Sequence, residues 1–133
     1  MEKGTKILVV DDDSSHRTML SAVLGDAGYD VETADGGDAA LEATERESYP
    51  LVLLDIKMAG RSGNEVLEDH QRRAPGTAVV MMTAYASVGT AVEALRLGAY
   101  DYLIKPFDPQ TGRAVVGVLL RLTLFSAVWA GVL

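Results

Sequence analysis

At 133 residues, 48% hydrophobic and 23% charged, the chain is sized and composed as one globular domain that can bury its own core. Nineteen acidic against twelve basic residues give a net charge of −7, which argues against this chain gripping a nucleic-acid backbone directly. With no cysteine there is no disulfide framework, thiolate metal site or thiol nucleophile, and Met1 to Lys6 carries no signal-peptide apolar region, so a cytoplasmic address is expected.

Ile7-Leu8-Val9-Val10 is a short apolar run that ends in Asp11-Asp12-Asp13. Ser14 or Ser15 is expected to cap the following helix, whose apolar stripe is Met19, Leu20, Val23, Leu24 and Ala27 and which Gly28 stops. Residues 29–34 alternate enough for a strand near the sheet edge. A turn over 35–38 leads to a helix over 39–47 with Ala40, Leu41 and Thr44 facing inward.

Leu51-Val52-Leu53-Leu54-Asp55 follows, four apolar residues running unbroken into a carboxylate. Such a run reads as a central strand buried on both faces of a parallel sheet. A loop containing Ala59, Gly60, Ser62 and Gly63 leads to a helix over 64–73, stopped before Pro75. Residues 78–83 are another buried strand ending in the Thr83 hydroxyl, then helix over 87–97 closed by Gly98. The last strand is 102–105, and a final helix starts near Pro109.

Five strands alternating with five helices imply a flavodoxin-like (βα)5 three-layer sandwich, its parallel sheet in the order 2-1-3-4-5. That order gathers Asp11, Asp12, Asp55, Thr83 and Lys105 at one edge, where open α/β sheets place their ligands. Three carboxylates together repel unless a cation joins them, and an oxygen-only set suits Mg²⁺. Asp55 then reads as a phosphate acceptor that forms an acyl phosphate, with Lys105 supplying a point charge and Thr83 a neutral donor.

The motifs Val10-Asp11-Asp12, Leu54-Asp55, Met82-Thr83-Ala84 and Lys105-Pro106-Phe107, in this order between these strands, resemble the receiver domain of bacterial two-component response regulators over roughly residues 5–122. The strings Met82-Thr83-Ala84-Tyr85-Ala86-Ser87 and Gly98-Ala99-Tyr100-Asp101-Tyr102-Leu103 are most similar to receivers of the nitrogen-regulation type, which precede a sigma-54-dependent ATPase and a DNA-binding domain.

The resemblance implies that Asp55 takes phosphate from a sensor histidine kinase. Asp12, Asp55 and the backbone carbonyl of Lys57 would bind Mg²⁺, with Asp11 acting mainly through water. Thr83 and Lys105 would engage the phosphoryl group, Tyr102 would be the aromatic switch, and the Lys105–Pro106 bond would be cis. The output surface would be the fourth helix, fifth strand and fifth helix, acting on an effector domain absent from this chain or, for a stand-alone receiver, on a partner protein.

Blander readings stand beside these. Asp13 reads as solvated charge, Tyr102 could be a core aromatic, and His16 and His70 read as half-buried helix histidines with a polar tip at the surface. The resemblance expects Pro at Ala59 and Asp at Ser62, changes that loosen the loop after Asp55. From Ala114 to Leu133 the only charge is Arg121. The receiver is placed at 1–122 and an apolar extension at 123–133, too short to span a membrane and suited to a homodimer or domain contact. A phosphohydrolase would want a carboxylate where Lys57 stands, and a flavin-binding domain would want a phosphate-cradling first loop where three aspartates stand.

Overall fold

A computed structural model describes residues 4–58, 62–74, 76–84 and 88–105. The elements are β1 (Lys6–Val10), α1 (Ser14–Asp26), β2 (Asp30–Ala34), α2 (Gly37–Arg46), β3 (Leu51–Asp55), α3 (Gly63–Arg73), β4 (Ala78–Thr83), α4 (Val88–Arg96) and β5 (Asp101–Ile104). All strand pairs are parallel and the order is β2-β1-β3-β4-β5, the flavodoxin-like arrangement expected from the alternating pattern. The predicted fifth helix, the Lys105–Pro106 bond, Ala59 and the apolar tail lie outside the described residues.

The two-residue period of a strand sends alternate side chains to opposite faces. Ile7, Val9, Leu51, Leu53, Val80 and Met82 therefore face one way and pack with Leu20 and Leu24 of α1. Leu8, Val10, Val52, Leu54, Val79 and Met81 face the other way, against α2, α3 and α4. A strand with a layer on each side has no polar face, which is why every residue of β3 is buried. The edge strand β2 is only partly buried, as its weaker alternation indicated.

Helix ends follow local chemistry. After α1, Gly28 adopts φ 98°, and Tyr29 N–H closes back onto Leu24 C=O at 3.1 Å. Gly98 does the same after α4 at φ 104°, with Ala99 N–H on Ala94 C=O at 3.0 Å. The N-cap of α1 is Asp13, neither of the two serines, because its carboxylate reaches Ser15 N–H at 3.0 Å and His16 N–H at 3.4 Å. Asp13 is thus a structural cap as well as an exposed charge. On α2, Ala40 and Ala43 are buried, Leu41 packs partly buried against the same core as expected, and Thr44 is half-buried.

Both helix histidines are buried rather than half-exposed, His16 at 8% and His70 at 5% exposure. His70 lies on the inward stripe of α3 with Val66 and Leu67, and neither ring nitrogen has a hydrogen-bond partner among the described residues. Burial holds its pKa below the usual histidine value, the Arg73 charge adds to this, and Asp69 opposes it. A base depressed on folding contributes no penalty above the unfolded pKa of about 6.5 and costs stability as pH falls below it. His70→Leu is therefore expected to raise stability by about 1–3 kcal/mol, with the gain over the parent chain larger at pH 5 than at pH 7.5. Urea unfolding of the two proteins at both pH values checks this, and a gain that does not grow toward acid would contradict it.

Candidate functional site

The strand pairing continues one step beyond the strand ends and thereby sets the site. Asp11 N–H bonds Ala34 C=O at 3.1 Å, Ile56 N–H bonds Met82 C=O at 2.8 Å, and Lys105 N–H bonds Thr83 C=O at 2.7 Å. Residues remote in sequence are thus placed side by side at the C-terminal edge of the sheet. A cavity of about 420 Å³ opens at that edge, bounded by Asp12, Asp13, Asp55, Lys57, Met58, Ala84 and Lys105.

Lys105 bridges two acids, with Nζ 2.7 Å from Asp11 Oδ2 and 3.0 Å from Asp55 Oδ2. Asp11 is fully buried, and both its oxygens are engaged. Oδ1 accepts from Asp13 N–H at 2.9 Å, and Oδ2 faces His16 Nδ1 at 2.5 Å. Arg17 donates to the Asp11 carbonyl at 2.7 Å. Asp55 Oδ1 accepts from Lys57 N–H at 3.2 Å. Asp12 is exposed, yet an oxygen of Asp11, of Asp12 and of Asp55 all lie within 4.8 Å of one another.

These surroundings split the two buried acids. Burial pushes the Asp11 carboxyl up, but hydrogen bonds from His16, Lys105 and the Asp13 amide more than offset it and hold it well below the usual carboxylate range. Burial also pushes Asp55 up, the Asp11 charge pushes the same way, and Lys105 and the Lys57 amide only partly oppose it. Burial alone would lower the Lys105 ammonium, and its two carboxylate partners raise it instead. Of these two buried acids, Asp55 is therefore the one whose charge its surroundings compensate less. Three carboxylates at this spacing, one open to solvent, make an all-oxygen donor set that fits a small hard dication.

Of the residues singled out from the sequence, Asp11, Asp12, Asp55, Lys57 and Lys105 come together at this edge. Thr83 ends the neighbouring strand, buried, one position past the partner of Asp55. Tyr102 lies on β5 and is not among the residues that line the cavity. Its hydroxyl pairs with that of Thr90 on α4 at 2.9 Å, and its ring packs partly on the core. Sequence reasoning missed His16 and Arg17 as partners of Asp11. The available signal was position: His16 is the third residue of α1, and helical side chains lean back toward the N-terminus, here toward Asp11. It also missed how closely α3 meets β3 at Gly63. A Cβ there would lie 2.2 Å from the Asp55 carbonyl oxygen.

No helix among the described residues is long and apolar enough to cross a membrane. The chain is 51% identical over 102 residues to the transcriptional regulatory protein ZraR of Escherichia coli K12, covering 77% of this chain and 23% of that protein. It is 40% identical over 118 residues to the response regulator protein FleR of Pseudomonas aeruginosa, covering 89% and 24%. It thus spans about a quarter of the length of these curated relatives. Among solved structures, NtrX of Brucella abortus superposes with a TM-score of 0.84 at 32% identity, over 96% of this chain and 30% of that one. The chemotaxis protein CheY4 of Vibrio cholerae superposes with a TM-score of 0.81 at 33% identity, over 89% and 98%. A profile of the response regulator receiver domain matches residues 7–116, and the chain belongs to that family.

Proposed function

We propose that the chain is a phosphorylation-controlled switch whose acceptor is Asp55. The observation that carries this reading is the Lys105 ammonium held between Asp11 and Asp55 beside an exposed third carboxylate. An Asp55 oxygen attacks the phosphorus of a sensor kinase's phosphohistidine. A P–O bond forms, the P–N bond breaks, and the imidazole leaves with a proton from solvent. Lys105 neutralises charge on the transferred group, and Thr83 offers it a hydroxyl donor. Asp12, Asp55 and the Lys57 carbonyl would hold Mg²⁺, with Asp11 acting through water. When bound, the ion supplies charge neutralisation for the carboxylates and the incoming phosphoryl oxygens. The domain assists its own phosphorylation and hydrolysis but is a signalling module rather than a turnover enzyme.

The readout surface is α4, β5 and the helix expected after Pro109. Val92, Leu95, Tyr100 and Ile104 leave apolar surface exposed on α4, on β5 and between them, with Val92 and Ile104 at 57% and 58%. The Thr90–Tyr102 hydroxyl pair ties the same two elements together. A rearrangement at Thr83 is thereby coupled to that face.

The similarity to ZraR, FleR and NtrX supports a cytoplasmic output through sigma-54-type effector domains; a stand-alone receiver acting by protein contact is the second reading. The receiver unit is placed at residues 1–122, with 123–133 an apolar extension that serves a homodimer or domain contact.

Intact-mass measurement after incubation with acetyl phosphate tests the reading. The chain is expected to gain the mass of one phosphoryl group with Mg²⁺ and none with a chelator, and a chain that takes up none with Mg²⁺ contradicts it.

A further inference from the structure

We infer that His16 occupies a lone pair of Asp11 Oδ2 and thereby weakens the hold of the carboxylate cluster on a divalent cation. The inference rests on the metal reading of the Asp11–Asp12–Asp55 cluster proposed above.

The argument is one of hydrogen-bond capacity. Each carboxylate oxygen offers about two lone-pair directions. Asp11 Oδ2 already receives Lys105 Nζ at 2.7 Å and faces His16 Nδ1 at 2.5 Å. The Asp11 carboxylate accepts from the Lys105 ammonium and the Asp13 amide, so the imidazole nitrogen facing it at 2.5 Å is assigned as a donor. Either charge state of the ring supplies that N–H. Oδ2 is then saturated, and Oδ1 keeps one free direction beside the Asp13 amide. A cation, or a water bound to it, competes with donors for those directions.

The orientation of Asp11 does not depend on His16. Lys105 and the Asp13 amide fix one oxygen each, and the chain itself is fixed by Arg17 on the Asp11 carbonyl. What His16 alone adds is a second donor on Oδ2, drawn from a ring that is 8% exposed and cannot leave for solvent without disturbing α1. Such charge-assisted bonds are short and strong, so this donor withdraws a real share of the Asp11 charge from the cavity.

Calorimetric titration of the full chain with MgCl₂ at a fixed pH of 8 tests this, using the parent, His16→Leu and His16→Asn. His16→Leu removes the donor, returns that share of the Asp11 charge to the cavity, and is expected to bind Mg²⁺ more tightly than the parent. His16→Asn puts an amide N–H where Nδ1 stands and is expected to return to the parent affinity, a rescue that mere packing would not produce. Should His16→Leu fail to melt cooperatively, His16→Gln replaces it, since its amide reaches the Nε2 position and leaves Nδ1 empty. Equal or weaker binding by the donor-less variant overturns the inference while leaving the metal site standing, as does His16→Asn behaving like it. A parent chain that takes up no Mg²⁺ overturns the metal reading and this inference together.

Discussion

Asp55→Asn is expected to abolish phosphoryl uptake from acetyl phosphate and Mg²⁺ while the metal-free protein becomes more stable. The amide keeps the shape of the side chain and can still accept from Lys105, but it has no anionic oxygen to attack phosphorus. The stability half follows from the raised pKa. Burial and the Asp11 charge disfavour the Asp55 carboxylate in the folded state. An acid whose pKa rises on folding costs stability wherever the unfolded chain would already be ionised, which means above about pH 4. The substitution removes that cost at neutral pH.

Mg²⁺ reverses the ranking. An ion that binds only the folded state adds about 2.7 kcal/mol at a hundredfold excess over its Kd. The parent should gain such an increment and Asp55→Asn should lose most of it. Thermal melts in EDTA and in Mg²⁺, beside intact mass, read both halves. Uptake of one phosphate by the variant at the parent rate would dismiss Asp55 as the acceptor.

Gly63→Ala is expected to cost about 3 kcal/mol or more and to impair phosphoryl uptake in whatever fraction remains folded. The reason is space. A Cβ at residue 63 would lie 2.2 Å from the Asp55 carbonyl oxygen, 2.6 Å from Ile56 Cα and 2.9 Å from the Asp55 carbonyl carbon. All three are backbone atoms, so no side chain can swing aside. Gly63 N–H also bonds Ile56 C=O at 2.8 Å, which holds the first residue of α3 against the end of β3. Relief requires that joint to open, and the joint carries Asp55. Among the described residues the positive-φ glycines are Gly4, Gly28 and Gly98, so conformational strain is not the issue at Gly63.

Two other changes calibrate the loss. Ser62→Ala removes only the cap on Glu65 N–H and should cost about 1 kcal/mol. Gly25→Ala on α1 meets nothing within 4 Å and should stabilise by up to about 1 kcal/mol. Urea unfolding of the three variants checks the order. A Gly63→Ala protein as stable as Ser62→Ala would show that the β3–α3 joint has slack.

Much of this was legible along the chain because it is written in short-range patterns. Unbroken apolar runs mark strands covered on both faces, and strict strand–helix alternation leaves few topologies for a right-handed parallel sheet. A polar residue directly after such a run must land at the sheet edge, so Asp11, Asp55, Thr83 and Lys105 could be assigned to one place before any coordinates. Helix stops at Gly28 and Gly98 were equally local.

Tertiary structure alone decided the matters that depend on distances between elements. The apolar pattern cannot say that Ala43 is buried more deeply than Leu41, because both lie within one broad helical face and both pack on the core. Nor can it say that two histidines in surface-type helices are buried, since that depends on how near the neighbouring layer comes. The partner of His16 is set by the angle at which α1 leaves β1, and the need for glycine at 63 by the approach of α3 to the backbone of β3. Composition and period prescribe which residues share an edge or a face. Which atoms then compete for the same lone pair or the same cubic ångströms is settled only when the layers close.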